Sequence, residues 1–132
     1  HHGMMVFSSS WYNLPLGDAA DAFSAEEHRF GSHAGDIETS MMLALNPQSV
    51  RMDKAQNFQS TSKTRAQQFP ILGNGKSAKL GWQMQDINPN GAAGNAANAT
   101  AEKGQALVEE AGKQLAVMLQ EVVRVPLGSL HD

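Results

Sequence analysis

The sequence predicts an α/β fold, a sheet covered by helices. Three observations carry that expectation. A short apolar run at residues 4–7 ends in Ser8-Ser9-Ser10 and reads as a buried strand opening into a loop. Residues 100–123 carry an apolar stripe at helical spacing, the best helix pattern in the chain. Between them the segments run strand, loop, helix, strand, long helix, the order of a sheet with helices laid over it.

The elements follow in chain order. Trp11-Tyr12 comes just after the first strand, at the edge where ligands sit in open α/β sheets; a core or rim aromatic is the plainer reading of Trp11. Residues 13–32 are mostly loop, with a short helix expected over residues 19–28. From Asp36, the apolar positions Ile37, Met41, Ala44 and Leu45 share one helical face. Asn46-Pro47 stops that helix, and Asp36 or Ser32 is placed to cap its start. Met41-Met42 reads as core filler. Residues 50–58 are mixed, and residues 59–68 are polar and read as solvent-exposed. Gly73-Asn74-Gly75 is a turn, residues 78–84 read as a second strand, and Asn88-Pro89-Asn90-Gly91 is a strong turn signal. In the last helix, Leu107, Val108, Ala111, Leu115, Met118, Leu119 and Val122 form the stripe, and Pro126 follows its end. Gly104 and Gly112 cost that helix about 1 kcal/mol each, so a close packing neighbour is expected at both.

Composition bounds the rest. The chain has 132 residues, 41% of them apolar and 17% charged, which is globular rather than disordered. A net charge of −3 speaks against a nucleic-acid groove or a polybasic membrane patch. There is no cysteine, so disulfides, thiolate nucleophiles and cysteine-based zinc sites are excluded. That absence and the lack of a visible signal peptide fit a cytoplasmic location, and no apolar run is long enough to span a bilayer. His1-His2-Gly3 before Met4 reads as the remnant of a purification tag, with the domain proper at residues 4–132.

One stretch carries chemistry: Ser32-His33-Ala34-Gly35-Asp36-Ile37-Glu38-Thr39-Ser40. It places an imidazole and carboxylates at the mouth of a helix, where backbone N–H groups favour negative charge. Three readings stand side by side. His33 is a general acid/base oriented by Glu38, since its pKa lies near neutrality. Alternatively, His28, His33, Asp36 and Glu38 hold a metal ion, although the two histidines are separated by a glycine-containing loop rather than a helical turn. In the plainest reading, His33 is a loop residue and Glu38 complements the helix dipole. Gly75-Lys76-Ser77 is not a phosphate-binding loop, because Pro70 stands where that pattern requires glycine. Asn98-Ala99-Thr100 fits a glycosylation sequon but reads better as a helix-capping segment.

These residues resemble a family. His33-Ala34-Gly35-Asp36-Ile37-Glu38-Thr39-Ser40 is similar to the His-Ala-Gly-Glu-x-Glu-Thr-Ser signature of the creatininase (creatinine amidohydrolase) family. Residues 91–104 resemble its glycine-rich turn and Ala-Thr-x-Glu-Lys-Gly helix start, here Ala99-Thr100-Ala101-Glu102-Lys103-Gly104. Ser10-Trp11 matches the end of a family strand. The resemblance implies a three-layer αβα fold with a mostly parallel sheet, and frequent hexamers. It implies a metal-dependent amidohydrolase that cleaves a C–N bond of a cyclic amide, formamide or small peptide with two divalent ions, zinc or manganese. On that resemblance His33 and Glu38 are the catalytic residues, and Trp11 and Gly35 line the substrate pocket. Asp36 departs from the pattern, since glutamate is usual there. Residues 25–29 lack the tryptophan of creatinine-hydrolysing members, which weakens creatinine as the substrate. The family's metal-ligand segments, an early Glu-x-His-Gly and a Gly-His-Gly-Gly-Asn-like stretch, have no counterpart here. The expectation is therefore the C-terminal half of a family domain, with no metal ligands of its own, acting on a small-molecule amide. It is completed by homo-oligomerisation or a complementary N-terminal half. A noncatalytic oligomerisation or binding module that kept half of the fold is the alternative.

Overall fold

The computed structural model describes residues 4–129, so the expected tag remnant at residues 1–3 lies outside the described residues. Two helices hold the chain together. Helix α3 (Asp36–Leu45) packs against the long helix α6 (Ala101–Arg124). Helix α6 starts where its capping segment is expected: the Thr100 hydroxyl accepts the Lys103 N–H at 3.3 Å. Hydrogen bonds from its own backbone N–H and from Thr100 hold the Glu102 carboxyl below its usual pKa. At the crossing, a Cβ on Gly104 would overlap the Ser40 backbone carbonyl, so only glycine permits this approach. Gly112 has no such neighbour, and its expected close contact is not formed.

The apolar core is small. Leu16, Phe23 and Leu107 are buried together, with Trp11, Leu14, Ile37, Met41 and Ala111 packed around them. Helix α3 departs here from its expected face. Ile37 and Met41 reach the core, but Leu45 and Met42 are exposed, and Asp36, Thr39 and Ser40 are the buried positions. A hydrogen-bonded network makes that burial possible. Asp36 holds the Lys103 ammonium at 2.6 and 2.7 Å and accepts the Ser40 hydroxyl at 3.1 Å. Ser40 Oγ in turn accepts the Thr100 N–H at 3.1 Å, and Lys103 also donates to the Asn98 carbonyl at 2.7 Å. Aspartate in place of the usual glutamate thus pairs with the lysine of the second family-like motif.

The expected helix at residues 19–28 is two short ones, α1 (Asp18–Asp21) and α2 (Ala25–Phe30). The Ser24 hydroxyl breaks the run by accepting the Glu27 N–H at 3.0 Å as the cap of α2. The polar stretch read as solvent-exposed forms a helix, α4 (Thr61–Gln68), capped by Ser60. The Asn88–Gly91 turn forms as expected, closed by the Gly91 N–H on the Asn88 carbonyl at 3.0 Å.

The strands are the main correction. Among the described residues, 4–7 form no paired strand, and Val6 is 87% and Phe7 51% exposed. The second expected strand, residues 78–84, is loop as far as residue 83, and Met84 opens a short helix, α5 (Met84–Ile87). Among the described residues the paired strands are β1 (Asn57–Phe58) and β2 (Gly94–Asn95), antiparallel in the register Asn57↔Asn95 and Phe58↔Gly94. The mostly parallel sheet is therefore not formed by these residues. A strand is stabilised by the backbone groups of a neighbour, and among the described residues 4–7 pair with none. The architecture is a mixed helix and strand fold with a minimal sheet. Among the described residues no helix is long and apolar enough to cross a membrane.

Candidate active site at the start of helix α3

The loop before α3 is anchored to the segment before β2. The Ser32 N–H reaches the Ala93 carbonyl, and the Ala93 N–H reaches the His33 carbonyl, both at 2.8 Å. His33 is thereby fixed at its backbone while its side chain stays 55% exposed. Its Nδ1 faces Glu38 Oε2 at 3.9 Å, and Glu38 is 50% exposed. The same carboxylate oxygen accepts the Ala34 N–H at 2.9 Å. Ala34 has φ +50°, a left-handed conformation that costs a non-glycine residue about 1–3 kcal/mol. Glu38 thus does two things, holding a strained residue and facing the imidazole next to it. The expected caps, Asp36 and Ser32, do not cap α3: Gly35 occupies the cap position, and carboxylates of Glu38 and Glu27 take the free N–H groups of Ala34 and Ile37.

An open pocket of about 310 Å³ lies beside this loop, lined by Trp11, Tyr12, Glu27, Gly35, Ile37 and Glu38 among others. The structure brings Trp11, Gly35 and Glu38 to one cavity; His33 is not among the lining residues but faces Glu38, which is. Trp11 also packs on the apolar core, its plainer expected place.

The four-residue metal cluster does not assemble. The His28 ring nitrogen bonds the Ala20 carbonyl at 2.9 Å, and Asp36 is taken up by Lys103. Glu27 spends its two oxygens on backbone N–H groups. Among the described residues no three histidine, aspartate or glutamate side chains converge on a point that could hold a metal ion. The side chains present do not fit the divalent ions that the resemblance implies.

Two neighbours of the site were missing from the sequence reading. Trp82 lies edge-on to the His33 ring, with centroids 6.3 Å apart. It belongs to the segment misread as a strand, so its place beside an imidazole had no local signal. Glu27 is 6% exposed and lies beneath the loop. Its burial depends on residues far away in sequence, and only the glycines flanking His33 hinted that something must approach closely.

Comparison with known proteins gives one structural match and one family match. A solved structure from Bacteroides fragilis, provisionally named a creatinine amidohydrolase, superposes with a TM-score of 0.68 at 26% identity. The match covers 94% of this chain and 44% of that one, so the chain spans less than half the length of its structural relative. No match among curated proteins accompanies it. Residues 1–119 match the family described as creatininase, creatinine amidohydrolase. The chain belongs to the creatininase family, whose members are generally metal-dependent.

Proposed function

We propose that this chain supplies the proton-transfer side of an amidohydrolase site, with His33 and Glu38 as the catalytic pair. The observation that carries the reading is His33 Nδ1 facing Glu38 beside the Trp11-lined pocket. With Nδ1 turned to a carboxylate, Nε2 is the nitrogen left to exchange protons. In the reaction, water adds to an amide carbon, the C–N bond breaks, and His33 carries a proton to the leaving nitrogen. Gly35 and Trp11 border the space in which a cyclic amide, formamide or small peptide binds.

The same proposal places the metal ligands, and with them the activation of water, on polypeptide beyond these residues, in the same protein or in a complementary chain. In that assembled form residues 4–7 become a strand of a mostly parallel sheet between two helical layers. The exposed Val6, Phe7, Leu119 and Val123 are then covered by that polypeptide or by further copies in an oligomer. A cytoplasmic location belongs to this reading too.

The test is an amide-hydrolysis assay on a panel of cyclic amides, formamides and dipeptides. The 132-residue chain alone, supplied with zinc or manganese, is expected to show no robust turnover; robust turnover without a partner overturns the division of the site. In the assembled enzyme His33→Ala is expected to lower kcat by about 10²–10⁴-fold, the usual contribution of general acid/base catalysis. A variant that keeps full activity would remove His33 from the mechanism.

A further inference from the structure

We propose that Glu27 is a positioning residue for the His33–Glu38 pair: its buried carboxylate clasps both ends of the structure that presents the imidazole. The inference rests on the proton-transfer reading above, but its test does not require turnover. Glu27 Oε1 accepts the Ile37 N–H at 3.3 Å, in the first turn of α3, and Oε2 accepts the Asn95 N–H at 3.0 Å, in β2. One side chain on α2 therefore ties the helix bearing Glu38 to the strand next to Ala93, whose backbone pairs with His33. Between those two ties lies the strained Ala34.

Space around the clasp is reserved for it. A Cβ on Gly35 would collide with Glu27 Oε1, and one on Gly94 would come within 2.7 Å of Oε2. The glycine after His33-Ala34 is thus explained by the carboxylate beneath it, as well as by the pocket above. Burying a carboxylate costs several kcal/mol unless its oxygens are satisfied, and charge-assisted bonds from N–H groups are the means available here. Such burial on an otherwise polar helix, directly below the loop that carries the imidazole, is what a positioning role requires. An apolar residue there would leave the Ile37 and Asn95 N–H groups, on either side of that loop, without their acceptor.

The experiment compares Glu27→Gln with the parent chain and with Glu26→Gln. Glu26 is a neighbouring exposed carboxylate paired with Lys63 at 2.7 Å rather than with the clasped N–H groups. Amide hydrogen exchange reads the Ile37 and Asn95 N–H groups, and imidazole ¹⁵N spectra read the tautomer of His33. Glutamine keeps the shape but turns one acceptor into a donor facing an N–H group. Exchange at whichever of the Ile37 and Asn95 N–H groups faces the new amide nitrogen is expected to rise by about tenfold or more, as for a lost hydrogen bond to a charged group. The His33 signal is expected to lose its Nδ1–H preference, while Glu26→Gln changes neither. Faster exchange with an unchanged His33 tautomer makes Glu27 a structural clasp only and overturns the proposal; no change in either does the same. If Glu27→Gln does not fold, Gly35→Ala is read in the same way, because its methyl displaces the same oxygen. An unaltered His33 tautomer in that variant overturns the proposal equally.

Discussion

The junction of α3 with α6 and the unpartnered ends of the chain divide apolar and polar residues in opposite ways. At the junction Ser40 is wholly buried and Asp36 nearly so. At the ends, Val6 is 87% exposed, and Leu119 and Val123 on the distal turns of α6 also face solvent. Hydropathy alone would reverse these assignments. Burial follows the partners present: the polar residues have hydrogen-bonding neighbours across the crossing, whereas Val6, Leu119 and Val123 stay largely exposed among the described residues. The junction, which supports the candidate site, is the part of the fold that these residues complete.

That contrast can be broken by substitution. Lys103→Met should cost about 4 kcal/mol, since it strands the buried Asp36 carboxylate, and urea unfolding should show a large fall in midpoint. Leu107→Ala, at the centre of the apolar core, should cost about 3 kcal/mol in the same measurement. Thr100→Ala removes the cap of α6 and should cost about 1 kcal/mol, visible as a lowered thermal midpoint. Val123→Ser should change stability by no more than about 0.5 kcal/mol, while light scattering of concentrated solutions should show less association. A large loss of stability at Val123, or an unchanged midpoint for Lys103→Met, would erase the distinction between the two regions.

The helices were legible in the sequence to the extent that their signals are local. The stripe from Leu107 to Val122, the Thr100 cap and the Asn46-Pro47 stop each act within a few residues, and α6 and α3 form where they indicate. Helix α4 was missed because it is polar on every side; its Ser60 cap and its rest against the Leu72–Asn74 turn stabilise it, and no apolar face announces it. The strands failed for the opposite reason. Residues 4–7 and 78–84 have strand-like composition, but strand formation is decided by a partner that composition does not contain. Within the candidate site, His33, Gly35 and Glu38 were legible because they are sequence neighbours, and Trp11 joins them through the fold. Glu27 and Trp82 were not, since their roles depend on backbone N–H groups and a ring contributed by distant segments.

The glycine at the helix crossing constrains motion. With the Gly104 backbone seated on the Ser40 carbonyl, α3 cannot slide along α6 without forcing main chain into main chain. Shear between the two helices is closed to this fold. The helical base on which the loop at residues 31–35 rests, itself bonded to Ala93, is thereby held in one register.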